Sequence, residues 1–334
     1  MSSPANASIS VRSYFYPLPY PIPPGAPIPY TPHLPSHNTL NGPPHPLEPT
    51  STLVLTSTTS LFVDIRLLKP TTAAHEDLPN TGGPRSRLEW AFAGKSESVE
   101  IADPYALKEK KKHGGAGATS VSEACFQRAF AGPVRRAVWT HWVDSRYAVV
   151  ATRMSGSVAR ELQAHVGPPD TGIMYPLPVA AGESEQTLEF GQGVNYYTGA
   201  LHSYEELWTD LPILATPTAE DLNPPKYSIV LGLDESRVGV RGCVVRLGQF
   251  CQGIVMKGGD CTVERWEFVS GGTSVGVEDT GVETGEWKRV VRIGDLFLPC
   301  PTTSKPNILT MGGKVKYYDY EWTVEEKVVW RDII

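Results

Sequence analysis

The chain is poor in the residues that most reactive or metal-bearing centres require. Its 334 residues include five cysteines, Cys125, Cys243, Cys251, Cys261 and Cys300, an odd number with no C-x-x-C spacing. Neither a disulfide framework nor a zinc knuckle is predicted, and reduced thiols are expected. Histidine is equally sparse: there are eight, the last is His202, and no H-x-x-x-H or H-E-x-x-H sets two on one helical face. Because imidazole is the commonest neutral ligand for zinc and haem, no metal and no cofactor is expected. Lys and Arg number 30 against 36 Asp and Glu, for a net charge of −6. Nucleic acid, which is held through clustered cations, is not an expected partner. No run of ~18 apolar residues occurs, and the first residues lack the basic-then-apolar pattern of a signal peptide. A soluble intracellular chain without a membrane span is the expectation.

Glycine and proline are abundant, at 31 and 30 residues, and they cut the chain into short β-patterned segments. "LFVDIRLL" alternates cleanly, with Leu61, Val63, Ile65 and Leu67 on one face and Phe62, Asp64, Arg66 and Leu68 on the other. Further strands are predicted at 8–15, 87–94, 136–146, 187–194, 227–233, 242–250, 262–269 and 287–294, which together indicate an all-β barrel or sandwich. Only "VARELQAH", 158–165, reads as a helix. Prolines crowd residues 16–48 too densely for a sheet interior, leaving a Pro-rich loop whose P-x-x-P spacings suit an SH3 or WW groove. Residues 103–123, with "KEKKKHGGAGATS", read as a solvated flexible loop ahead of a nuclear-localisation patch or a phosphate loop. A first domain over 1–214, a linker at 215–226 and a second domain over 227–334 are expected.

The chain also repeats itself. Val194, Tyr196, Tyr197, Glu205, Glu206, Trp208, Asp210 and Leu211 align with Val315, Tyr317, Tyr318, Glu325, Glu326, Trp330, Asp332 and Ile333, with a small gap before the Trp. Ser203-x-x-Glu206 and Thr323-x-x-Glu326 spell capping boxes, which would start helices. Against that, Trp322, Val324, Val328 and Trp330 share one parity, so both copies are read as closing strands of duplicated barrels.

Candidate chemistry is thin. "GTSVG", 272–276, matches a nucleophile elbow in spelling, yet no histidine follows Ser274 to complete the Ser, acid, His order. His141, between Trp139 and Trp142, is the most notable histidine and is expected to be hydrogen-bonded within a barrel. Asp64 with Arg66, and Asp144 with Arg146, each place opposite charges on one strand face; such a lattice either lines a barrel or braces its outside, and bracing is the ordinary case. Trp90, Trp139, His141, Trp142 and Arg146 are the candidate ligand-lining residues, with no catalytic residue and no metal ligand assigned.

"PTSTLVLTS", "FVDIRLL", "LEWAFAG", "WTHWVDSR", "YEELWTDL", "RGCVVRLGQFCQGI", "VERWE" and "WKRVVRIG…LPC" together resemble, in order over most of residues 50–334, the fungal HRI family of Hrr-interacting proteins. The resemblance implies two tandem lipocalin-like β-barrels, a cytoplasmic and nuclear location, no established enzymatic activity, and association with a casein-kinase-I-type kinase. It supplies no catalytic residues. The Pro-rich segment and the 103–123 loop depart from it. A non-enzymatic protein-binding or adaptor role is therefore expected; the alternatives are a lipocalin-like carrier of a small apolar ligand and a shape-based cyclase or isomerase.

Overall fold

A computed structural model describes residues 6–17, 48–70, 77–104, 131–150, 166–194, 201–271 and 284–331. Most of the Pro-rich segment and of the 103–123 loop, together with Cys125, the predicted helix at 158–165 and the GTSVG motif, lies outside them. Among the described residues no helix is long and apolar enough to cross a membrane.

The first sheet comprises β1 (Ser8–Pro17), β2 (Thr50–Thr56), β3 (Leu61–Leu68), β4 (Leu88–Glu100), β5 (Arg135–Trp139), β6 (Val143–Asp144), β7 (Asp170–Leu177), β8 (Gln186–Val194) and β9 (Leu201–Leu211). Eight of these form an antiparallel up-and-down series in which β9 returns to pair with β1 and β3 pairs with β4, so the sheet closes into a barrel. The two-residue β6 adds to β4. Closure leaves no exposed edge for the eight strands.

The second sheet comprises β10 (Lys226–Glu235), β11 (Val240–Leu247), β12 (Phe250–Lys257), β13 (Asp260–Ser270), β14 (Gly285–Ile293), β15 (Lys314–Tyr317) and β16 (Tyr320–Trp330). Its order is β14-β13-β12-β11-β10-β16-β15, a curled half-barrel. The pairings of β10 to β14 repeat those of β1 to β5, and the β15–β16 hairpin repeats β8–β9, as the duplicated sequence predicts. Among the described residues the second copy has no counterpart of β6, nor of β7. In its place Cys300–Ser304 and Pro306–Ile308 form short 3-10 turns. Pro299, Pro301 and Pro306 offer no backbone donor and keep this stretch out of a ladder. Leu298, Cys300 and Leu309 instead fill the curl beside Leu231, Val244 and Trp322.

The free edge of β14 is covered by the first unit. Arg292 N donates to Pro79 O at 2.8 Å, Gly82 N to Arg292 O at 3.1 Å and Gly294 N to Gly83 O at 3.2 Å.

The largest apolar cluster lies between the two sheets. Val63, Ile65, Leu67, Ala91 and Ala93 point outward from the barrel and meet Val230, Val245, Ile254, Met256 and Val263 from the half-barrel. Each fully buried aliphatic side chain of this kind stabilises by roughly 1.5–3 kcal/mol. Polar groups cross the same interface. Gln252 Nε2 donates to the carbonyls of Leu53 and Val63, both at 2.7 Å, and Arg265 Nη2 donates to Ile65 O at 3.1 Å. Glu326 accepts from Thr58 N, Thr59 N and the hydroxyls of Thr59 and Ser228.

Candidate functional site

With the outward face of the barrel committed to the second sheet, the polar parity of its strands faces inward. From β3 this sends Phe62, Asp64 and Arg66 into the interior, and from β9 Tyr204, Glu206, Trp208 and Asp210. A bulge at Glu89 breaks the register of β4, so that Glu89 and Trp90 both face inward. The result is a cavity of about 1070 Å3 whose wall mixes aromatic rings with charge. Asp64 and Arg66 therefore line the barrel and do not brace its outside, as surface charge pairs ordinarily would.

The centre of the wall is Trp90. The guanidinium carbon of Arg146 lies 3.9 Å from its ring centroid and that of Arg66 4.9 Å. Its Nε1 donates to Asp144 Oδ1 at 2.8 Å, and the same oxygen accepts from the backbone N of Arg146 at 2.8 Å. The other carboxylate oxygen, Oδ2, lies 2.8 Å from His141 Nδ1. Asp144 is fully buried and accepts at both oxygens, which matches the His141 tautomer with its proton on Nδ1. His141 Nε2 then faces the cavity. It has no hydrogen-bond partner among the described residues, and Asp170 Oδ2 stands 3.7 Å away.

Three of the four cavity arginines have a carboxylate; the fourth, Arg135, is exposed and bonds Ser98. Arg12 bonds Glu48 at 2.7 Å and Glu206 at 2.6 Å, Arg66 bonds Asp64 at 2.8 Å, and Arg146 bonds Glu89 at 2.6 Å. Burial disfavours the charge on Arg12, but Glu206 and Glu48 outweigh it and raise its pKa; Asp64 and Glu206 do the same for Arg66. Glu189 has no such cation in contact. Burial first, and then the neighbouring Glu206, push its carboxyl up to about 8. Trp208 Nε1 donates to its Oε2 at 2.8 Å. Gly172 makes room for this carboxyl, since a Cβ there would stand 2.5 Å from Oε1. Burial also raises Asp170, Glu206 and Asp210. Among the described residues no group of three or more His, Cys, Asp or Glu is placed to hold a metal ion.

Of the five residues singled out from sequence, Trp90, Trp139, His141 and Arg146 line this cavity. Trp142 does not. The strand breaks after Trp139, the parity is lost, and Trp142 packs against the apolar cluster between the sheets with Arg241 4.0 Å from its ring centroid. Glu189, Glu206, Asp170 and Arg12 were missed because each is an ordinary charged residue on a separate strand; the alternation of β9 was the one available signal for Glu206.

A closed antiparallel barrel enclosing a charged cavity, joined in one chain to a curled half-barrel of related strand order, defines a tandem-barrel β-protein. Residues 35–326 match the family described as Protein HRI1, and the chain belongs to that family. Its fold is also similar to the crystal structure of the uncharacterized protein YLR301w from Saccharomyces cerevisiae. The two align over 96% of this chain and 99% of that one, with a TM-score of 0.50 and 16% identity. No curated protein matches the chain.

Proposed function

We propose that this protein is a small-molecule-binding protein whose ligand occupies the first barrel, and that it acts by binding and not by turnover. The observation that carries the reading is the cavity of about 1070 Å3 whose wall sets Trp90, Phe92, Trp139 and Tyr204 among paired charges. A cavity of this size is in the range that encloses most of a small organic molecule, with a few polar groups setting its orientation. The wall also narrows the class of ligand: buried Arg12, Asp64, Glu189 and Glu206 favour an amphipathic molecule with polar groups over a wholly apolar one. Protein-binding roles, including the casein-kinase-I-type partner implied by the family resemblance, would use the outer surface and are compatible with an occupied barrel. Native mass spectrometry of protein purified from its own source tests the reading. A retained molecule is expected on the wild-type chain and is expected to be lost from Ala137→Phe, which intrudes on the cavity, at an unchanged melting temperature. A bare mass in repeated mild preparations, with no small-molecule probe binding, would overturn it.

A further inference from the structure

Charge in the cavity is unevenly satisfied. Arg12, Arg66 and Arg146 are all taken by Glu48, Glu206, Asp64 and Glu89. Among the described residues Asp170 and Glu189 have no Lys or Arg within ion-pair distance, and Asp210 is held by the Ser10 hydroxyl alone at 2.5 Å. An anionic ligand would therefore find the guanidiniums of Arg12, Arg66 and Arg146 already neutralised and Asp170 facing it without a counter-charge; the remaining cavity guanidinium, Arg135, is exposed and bonds Ser98. A cationic ligand would find carboxyls without a counter-charge.

His141 gives this imbalance a location. The residue is 1% exposed, and its Nδ1 is fixed by Asp144; in the tautomer that donates Nδ1–H to Asp144, Nε2 is a lone-pair acceptor. Opposite it, Asp170 Oδ2 is an acceptor as well, at 3.7 Å, too long for a direct hydrogen bond. His141 Nε2, buried and without a hydrogen-bond partner among the described residues, thus faces the carboxylate of Asp170, whose side chain is 28% exposed, with no donor between them, and the buried acceptor is left incomplete. A group carrying at least two N–H bonds and a positive charge completes it, donating one bond to each. Around this point stand Phe92, whose ring centroid is 4.5 Å from that of His141, and Trp139, both on the cavity wall and suited to an apolar body.

Building on the cavity reading above, we propose that the ligand is an amphipathic amine whose ammonium group sits between His141 Nε2 and Asp170 Oδ2, with its apolar body against Trp139 and Phe92. Asp170 supplies the counter-charge, His141 the second acceptor, and Asp144 acts through His141 as a positioning residue.

The test is a fluorescence titration of the full chain with dansylcadaverine, which bears a primary amine, against its N-acetyl derivative and against dansylglycine, which bears a carboxylate. The amine is expected to bind about tenfold or more tighter than the acetamide, a difference of about 1.4 kcal/mol, and dansylglycine is expected to bind weakest. Asp170→Asn should bring the ratio of amine to acetamide affinity close to one; His141→Gln should lower the ratio by less. Equal binding of amine and acetamide, or tighter binding of dansylglycine, would overturn the amine inference and leave the cavity reading standing. If none of the three probes binds and no retained molecule is found by mass spectrometry, the cavity reading falls and the amine inference with it.

Discussion

Arg146 stacks on Trp90 with its guanidinium carbon 3.9 Å from the ring centroid, while the backbone N of Arg146 and the indole Nε1 of Trp90 donate to the same oxygen of Asp144. One carboxylate thus ties a stacked cation, its aromatic partner and His141 into a single buried unit. Trp90→Phe preserves a ring for Arg146 but removes one donor from Asp144. The expected cost is about 1–3 kcal/mol, that of leaving a buried acceptor short of a partner, read as a lower urea midpoint at unchanged m-value. Unchanged stability would mean that the indole bond contributes nothing.

Glu189 makes stability fall as pH rises. Its carboxyl is raised by burial and by Glu206 to about 8, from an ordinary value near 4.5. Between these values the folded chain holds a proton that the unfolded chain has released, so alkaline conditions favour unfolding. The loss begins above about 4.5 and is complete once pH exceeds the folded value. Glu189→Gln, a stand-in for the protonated acid, should therefore raise the melting temperature at pH 9 relative to wild type and leave it nearly unchanged at pH 4. A thermal midpoint for the variant that tracks wild type at both pH values would contradict the protonated reading.

Glu326 works in the opposite sense. Burial opposes its charge, but hydrogen bonds from Ser228, Thr59 and Thr58 outweigh burial and hold its pKa below the usual carboxylate range. Its contribution is present above the unfolded value and is lost as pH falls through the folded one. Glu326→Gln should lower stability at pH 7 and narrow the difference from wild type as the solution is acidified. A constant difference between pH 7 and pH 3 would show that ionisation of Glu326 is not involved.

Much of this fold was legible in alternation, but not which face of each strand lies inside. The period-two pattern of β3 separates Leu61, Val63, Ile65 and Leu67 from Phe62, Asp64 and Arg66 without saying which set is interior. Charge normally goes to solvent. Here the second sheet supplies an apolar cover for the outside of the barrel, and the charged parity turns inward. The repeat likewise marked the position of each closing strand but not the surroundings of its side chains. Glu206 enters the cavity and bonds Arg12, whereas a bulge at Glu325 in β16 leaves Glu326 facing the β2–β3 turn of the first unit. Glu205, beside Glu206 in the same repeat, is 1% exposed and accepts a bond from the Tyr14 hydroxyl. Distant pairings of this kind, with partners some 190 residues apart, leave no trace in local pattern.

The two sheets are expected to unfold as one. Their shared apolar cluster is the largest in the described structure, and Gln252 carries polar recognition through its centre. The side chain is fully buried, donates to the carbonyls of Leu53 and Val63, and accepts from Arg265 Nε at 3.2 Å. Arg265 is itself buried, which lowers its pKa to about 10, and its other donors reach Ser51 and Ile65 across the interface. Gln252→Ala would leave two carbonyls of the first barrel and one guanidinium donor of the second unit short of a partner inside an apolar layer. Truncation of one member of a buried network costs about 1–3 kcal/mol for each group left unsatisfied, so the variant should be among the most destabilised single substitutions in the chain. Gln252→Leu, which fills the volume but restores no bond, should recover only part of the loss, because the stranded groups remain. Calorimetry checks both points. A single transition is expected for wild type, with the calorimetric and van't Hoff enthalpies in agreement. Two resolved transitions in wild type, or a Gln252→Ala variant as stable as wild type, would show that the sheets are joined by apolar contact alone.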